Sequence, residues 1–139
     1  MQLITFLQDV PADWRRGRIY LPRADRERLN VTEAQIAAGV VDDAWRALMR
    51  HEIAHVRALM LSGAPLALRV PGRFSLELCS VVHGGLRMLD VIERADYDVF
   101  RARPALRVSD WTVVLMRTAA MWLSRRIGVR TPSIKSNNA

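Results

Sequence analysis

Two long stretches of this chain carry apolar side chains at helical spacing, and no stretch alternates as a half-buried strand does. The first is predicted to run as a helix from Asp42, its capping residue, to about Ser62, with Ala44, Leu48, Ala54, Ala58 and Leu61 on one face. Gly63 and Pro65 are expected to stop it, and Pro71-Gly72 signals a second turn. The next helix is predicted from about Phe74 to Phe100, with a stripe of Leu78, Val81, Val82, Leu86, Leu89 and Ile92. Gly84-Gly85 in its middle weakens it by about 1 kcal/mol per glycine relative to alanine. A pair of glycines there admits another helix or a ligand at close range. Ser109 is expected to cap a last helix, Asp110 to about Arg126.

The N-terminal part reads as shorter pieces. Residues 2–16 have a helical pattern that begins abruptly, without a capping residue before Leu3. Pro11 lies inside it, where a proline removes a backbone bond and clashes with the carbonyl four residues back. A kink or local break between Asp9 and Asp13 is expected, with Gly17 ending the helix. Tyr20-Leu21-Pro22 is extended, Asp25 to Leu29 forms a short helix, and Thr32 with Gln35 makes a capping box for a helix ending near Gly39. The expected fold class is all-α, with helices of the length that pack into a bundle.

The chain has 139 residues, which bounds it to one domain, and 50% of them are hydrophobic, which argues for a packed core. The formal charge is +7, nearly all of it arginine, with Lys135 the only lysine. An arginine-rich surface meets phosphate, anionic lipid or nucleic acid, or is simply solvated. No zinc-finger spacing and no long basic run supports nucleic acid. Cys79 is alone, so no internal disulfide forms, which suits a reducing compartment. The first residues do not read as a signal peptide, and no apolar run is long enough to span a membrane.

The chemistry concentrates in Gln8 to Pro22. Asp9 and Asp13 stand four residues apart, a spacing that puts them on one face of a helix. At about 6 Å and an effective dielectric of about 20, their repulsion is roughly 3 kcal/mol, so a cationic partner is expected. Mg²⁺ suits the pair, because it takes one or two carboxylates plus substrate phosphates. Arg15, Arg16 and Arg18 follow closely, and guanidiniums bind phosphate oxygens. Together they suggest a diphosphate site. A surface salt-bridge cluster is the alternative that spacing alone leaves open.

The Asp9 to Pro22 block resembles the second aspartate-rich motif of the squalene/phytoene synthase family. Asp42 to Arg50 is similar to that family's next helix, and Ser62 to Leu66 and Val70 to Arg73 to its following turns. Gly84 to Leu89 and Tyr97 to Pro104 complete the match, which runs over roughly residues 2 to 125. The likeness is strongest to bacterial squalene synthases of hopanoid biosynthesis. It implies an isoprenoid-synthase-type helical bundle, of which this chain is about half. Residues 1–128 are then the C-terminal part of a synthase domain, and 129–139 a polar disordered tail.

The same resemblance implies the site. Asp9 and Asp13 would hold Mg²⁺, and Thr5, standing where the family commonly has asparagine, would be a weaker third ligand. Arg16 and Arg18 would bind the substrate diphosphate, Tyr20 would act with the two aspartates in catalysis, and Gln8 would support them from behind. The implied function is Mg²⁺-dependent condensation of farnesyl diphosphate, or conversion of its presqualene-type intermediate, in squalene or hopanoid biosynthesis. The family's first aspartate-rich motif is missing. The chain is therefore expected to be inactive or incomplete alone, with a partner chain supplying the N-terminal half of the bundle. The other expectation is a catalytically dead interaction subunit or remnant. A cytoplasmic location follows, or a peripheral one on the inner membrane face, where the last helix with Arg117, Arg125 and Arg126 would lie on anionic lipid.

A competing motif is His51-Glu52-Ile53-Ala54-His55, a formal H-E-x-x-H on a predicted helix. A zinc hydrolase needs a third ligand, which only Glu77 or His83 is placed to give. Surface histidines on a bundle helix are the default. His83 beside Gly84-Gly85 reads as a satisfied core histidine, and the tryptophans Trp14, Trp45, Trp111 and Trp122 as packing or interfacial residues. Met49, Met60, Met88, Met116 and Met121 read as core filler.

Overall fold

The computed structural model describes residues 2–70 and 73–126, and among them every regular element is a helix. The elements are α1 (Gln2–Gln8), α2 (Val10–Arg15), α3 (Arg23–Arg28), α4 (Glu33–Ala38), α5 (Asp43–Arg69), α6 (Arg73–Arg94) and α7 (Val108–Arg126). The turn at Pro71-Gly72 and the tail at 129–139 lie outside the described residues. So do the side chains of Met121, Trp122, Arg125 and Arg126.

Helices α5, α6 and α7 form an antiparallel layer, α5 on α6 and α6 on α7, and α1 lies across α5 and α6. Two arginine clamps register this layer. Arg57 of α5 donates to Asp90 at 2.9 Å and to Glu93 at 2.7 Å, both on α6. Arg87 of α6 pairs with Asp110 of α7 at 2.7 Å. The core is Ile4, Leu7 and Val10 from the first two helices against Trp45, Leu48, Met49, Ile53 and Val56 of α5 and Leu89 and Ile92 of α6.

The buried face of α5 differs from the expected stripe. Leu48 is buried as predicted, but Ala54, Ala58 and Leu61 face solvent. The packed positions are Trp45, Leu48, Met49, Ile53 and Val56, an equally helical set displaced around the axis. On α6, Leu89 and Ile92 are buried while Leu78 and Val81 are exposed. The last helix turns Val114 and Thr118 toward α6 and leaves Val108, Trp111, Leu115 and Met116 exposed. Met116 is therefore not core filler, whereas Met49 is fully buried and Met60 and Met88 pack against the core.

Several predicted ends move, each for a local reason. Helix α5 passes through Gly63 and Pro65 to Arg69 instead of stopping. Pro65 removes one backbone bond, but Ala67 beyond it is buried at 2%, so packing holds the last turns in place. Helix α6 ends at Arg94, not near Phe100, because Asp96 and Tyr97 both take positive φ, 53° and 61°. The Tyr97 N–H then bonds back to the Ile92 carbonyl at 3.0 Å, as helix-terminating left-handed turns do. Ser109 does not cap α7. Asp110 reaches back and its Oδ2 accepts the Arg107 N–H at 2.8 Å.

Other signals hold. Asp42 Oδ1 accepts the Trp45 N–H at 2.8 Å and starts α5. Thr32 Oγ1 accepts the Gln35 N–H at 3.1 Å, but the Gln35 side chain goes to Asp42 at 2.7 Å rather than back to Thr32. The two glycines of α6 differ. A side chain on Gly85 would meet Ile4 Cδ1 and Met60 Sδ at 2.8 Å, while one on Gly84 would meet nothing within 4 Å. This is close helix packing, with α1 and α5 both pressing on Gly85. Gly85→Val is expected to destabilise by about 1–3 kcal/mol through overpacking. Gly84→Ala should stabilise by up to about 1 kcal/mol through helix propensity. Urea unfolding of the two variants checks the contrast.

Candidate functional site

The aspartates flank a break in the first helix. Asp9 has φ −100° and ψ 15° and stands between α1 and α2. Pro11 sits in the first turn of α2, where a missing N–H leaves nothing unpaired. The break expected from Pro11 is thus present. Backbone bonds nevertheless carry across it, Asp9 N–H to the Thr5 carbonyl at 2.9 Å and Asp13 N–H to the Asp9 carbonyl at 2.8 Å. Gly17, at φ 70°, closes α2, with the Arg18 N–H bonded to the Asp13 carbonyl at 2.9 Å. That turn sends Arg18, Ile19 and Tyr20 back alongside α1.

Phe6, Val10, Asp13, Arg18, Ile19 and Tyr20 close together around a gap with no room for a water molecule. Phe6 and Tyr20 stack with centroids 4.0 Å apart and planes 10° from parallel. Arg18 Nη1 lies 3.5 Å from the Tyr20 hydroxyl, a loose donor contact. Asp13 is only 8% exposed, and its one ion pair, to Arg16 at 3.8 Å, is with a guanidinium whose side chain is 70% exposed. Thr5 is exposed on α1, one turn before Asp9.

Asp9 is held from the far end of the chain. Arg103 grips it with two bonds, Nε to Oδ1 at 2.6 Å and an Nη to Oδ2 at 2.9 Å. Beside it, the Gln8 amide donates to the Pro104 carbonyl at 2.9 Å and to Met88 Sδ at 3.0 Å. The connection between α6 and α7 is therefore pinned against the α1–α2 break. Phe6 and Arg103 are site residues that the sequence does not disclose. The aspartate pair announces that a cation is needed, but the one that comes is 94 residues away.

The donor chemistry at the break fits Mg²⁺. Two carboxylates are hard oxygen ligands, and their present cationic partners, Arg16 and Arg103, have side chains 70% and 66% exposed.

The H-E-x-x-H helix makes no zincin-type centre. His51 and His55 are both exposed, and Glu52 between them turns inward at 8% exposure. Among the described residues no group of three ligands joins His55, Glu77 or His83 to His51. Glu77 pairs with Arg73 instead, at 3.5 Å. His83 faces α7, and both its ring nitrogens are buried without a hydrogen-bond partner among the described residues. It is thus not the satisfied histidine that was expected. Burial, and then the charge of Arg117, hold it below its ordinary value. The folded state therefore keeps His83 neutral where the unfolded chain takes up a proton. The stability is whole above about pH 6.5 and is lost as pH falls below that value toward the lower one of the folded state. Urea unfolding near pH 7.5 and near pH 5.5 should show this loss, and His83→Leu should reduce it.

A family model described as squalene/phytoene synthase matches residues 1–112. The chain is 40% identical over 104 residues to the 15-cis-phytoene synthase of Synechocystis sp., a match covering 73% of this chain and 30% of that protein. It is 40% identical over 104 residues to the phytoene synthase of Arthrospira platensis, covering 73% and 33%. It is 37% identical over 102 residues to phytoene synthase 3 of Zea mays, covering 73% and 24%. The chain belongs to the squalene/phytoene synthase family, and it spans a third or less of the length of these curated relatives. No solved structure matches it. No helix among the described residues is long and apolar enough to cross a membrane.

Proposed function

We propose that this chain carries the second metal-and-diphosphate half of a head-to-head prenyltransferase site. The observation that carries this is the aspartate pair at the α1–α2 break, with Arg16, Arg18 and Tyr20 turned beside it, in a chain of this family. Asp9 and Asp13 would hold Mg²⁺, and Thr5 adds a hydroxyl one turn earlier. When bound, the ion supplies neutralising charge for a departing diphosphate. Arg16 and Arg18 would orient the diphosphate oxygens, Arg103 would exchange Asp9 for phosphate, and Phe6 and Tyr20, stacked beside Asp13, would keep water from that side. Two carboxylates cannot surround a diphosphate by themselves, so a facing aspartate-rich segment completes the site, from a longer protein or from a partner chain.

Two products compete. The resemblance over the whole chain favours farnesyl diphosphate as substrate and a squalene or hopanoid route. The printed names of the relatives favour a phytoene-type product. The exposed apolar side of α7, with Trp111, Leu115 and Met116, supports peripheral contact with a membrane that receives a hydrocarbon product, at its cytoplasmic face.

The test is turnover of farnesyl diphosphate, and of a longer prenyl diphosphate, with Mg²⁺. The chain is assayed alone and mixed with a chain carrying the family's N-terminal half. Product only in the mixture is the expected result, and its chain length decides between squalene and phytoene type. No product from either substrate in the mixture would overturn the proposal in favour of an inactive interaction subunit.

A further inference from the structure

Away from the aspartate pair, metal-ligating side chains gather at one other place among the described residues. Asp25 of α3 and His51 and Glu52 of α5 each bring one ligand atom to within 4.8 Å of the other two. His51 Nε2 lies 3.4 Å from Asp25 Oδ1. Glu52 is more than nine-tenths buried, at 8% exposure, and its Oε1 is buried with no hydrogen-bond partner among the described residues. An orphaned carboxylate oxygen is costly to bury and calls for a donor or a cation. No arginine supplies one. Burial, then the charge of Asp25 and a hydrogen bond with it, push the Glu52 carboxyl up, while His51 and His55 favour its ionisation.

We propose that Asp25, His51 and Glu52 form a binding site for a divalent transition metal of the zinc class, which ties α3 to α5. One imidazole nitrogen with two carboxylate oxygens suits such a metal, whereas Mg²⁺ and Ca²⁺ favour sites of oxygen alone. Bonds of about 2.1 Å in a tetrahedral site put ligand atoms roughly 3.4 Å apart. Closing from 4.8 Å therefore needs about 1.4 Å of movement at most, shared among the side chains. His51 is exposed and supplies most of it, while Glu52 is fixed by burial and serves as the anchor. Arg28 holds Asp25 at 2.7 Å with a side chain 52% exposed, so it is able to swing into solvent when a metal takes the carboxylate. The arrangement differs from an H-E-x-x-H hydrolase centre, because Glu52 is a ligand rather than a base and His55 takes no part. It is also independent of the diphosphate site.

The full chain, stripped of metal, is titrated with Zn²⁺ by calorimetry and followed by thermal unfolding. One equivalent should bind at micromolar concentration, with the unfolding temperature rising as Zn²⁺ is added. His51→Ala and Asp25→Asn, both at partly or fully exposed positions, should each weaken binding tenfold or more. His55→Ala and the double variant Asp9→Asn, Asp13→Asn should leave it unchanged. Absence of saturable binding at about 100 µM Zn²⁺ would overturn the proposal, as would binding that survives His51→Ala. Equal loss in His55→Ala would assign the ion to a surface histidine pair, and loss in the aspartate double variant would assign it to the α1–α2 break.

Discussion

In the assembled synthase, Asp13→Asn is expected to lower prenyl diphosphate turnover by about a hundredfold or more, with little change in fold. The magnitude is that of removing a charged group that acts on developing negative charge or holds a metal. Asp13 is the cleaner of the two aspartates to test. Its carboxylate lies beside the stacked Phe6 and Tyr20, and its one ion pair among the described residues is a 3.8 Å contact with exposed Arg16. Asp9→Asn should abolish turnover as well, but it also releases the two-bond grip of Arg103 and so frees the connection before α7. The check is kcat and the Mg²⁺ dependence of each variant beside its circular dichroism. Full turnover in Asp13→Asn would remove this aspartate from the site.

Trp45→Ala is expected to destabilise the chain by about 3–5 kcal/mol, a large share of the roughly 5–15 kcal/mol typical of a domain. Trp45 is wholly buried, at 0% exposure, and its ring lies 4.7 Å from that of Phe100. Its indole N–H donates to the Tyr97 carbonyl at 2.9 Å. That bond holds the segment where Asp96 and Tyr97 adopt left-handed conformations, so the truncation both opens a cavity and strands a carbonyl. Trp45→Phe separates the terms, since it keeps most of the packing and loses only the N–H. It should cost about 1–3 kcal/mol. Urea unfolding followed by far-ultraviolet circular dichroism measures both. A loss below about 1 kcal/mol in Trp45→Ala would show that this residue does not anchor the segment. Because Arg103 follows a few residues later, loosening here should also weaken the hold on Asp9.

Much of the molecule follows from local sequence. The all-α class comes from helical spacing without strand alternation. The cap at Asp42, the left-handed closures at Gly17 and Gly39, and the break at Pro11 come from backbone rules that act within a few residues. The family, too, is legible, because Asp9, Asp13 and the arginines after them sit in one short block.

What the sequence leaves open is set by contacts between distant segments. Which face of α5 is buried was decided by the packing of α1, α6 and the segment at Tyr97 and Phe100 around it, since an alanine-rich helix offers more than one apolar stripe. The passage of α5 through Pro65 and the end of α6 before Tyr97 were decided by packing and by the Trp45 bond, each outweighing a local preference. The pairing of Asp9 with Arg103, rather than with Arg15, Arg16 or Arg18, and the meeting of Asp25 with His51 and Glu52 are of the same kind. Charge and donor type are written in the residues. Which of many arginines or carboxylates becomes a partner depends on where the helices bring them, and only the packed structure fixes that.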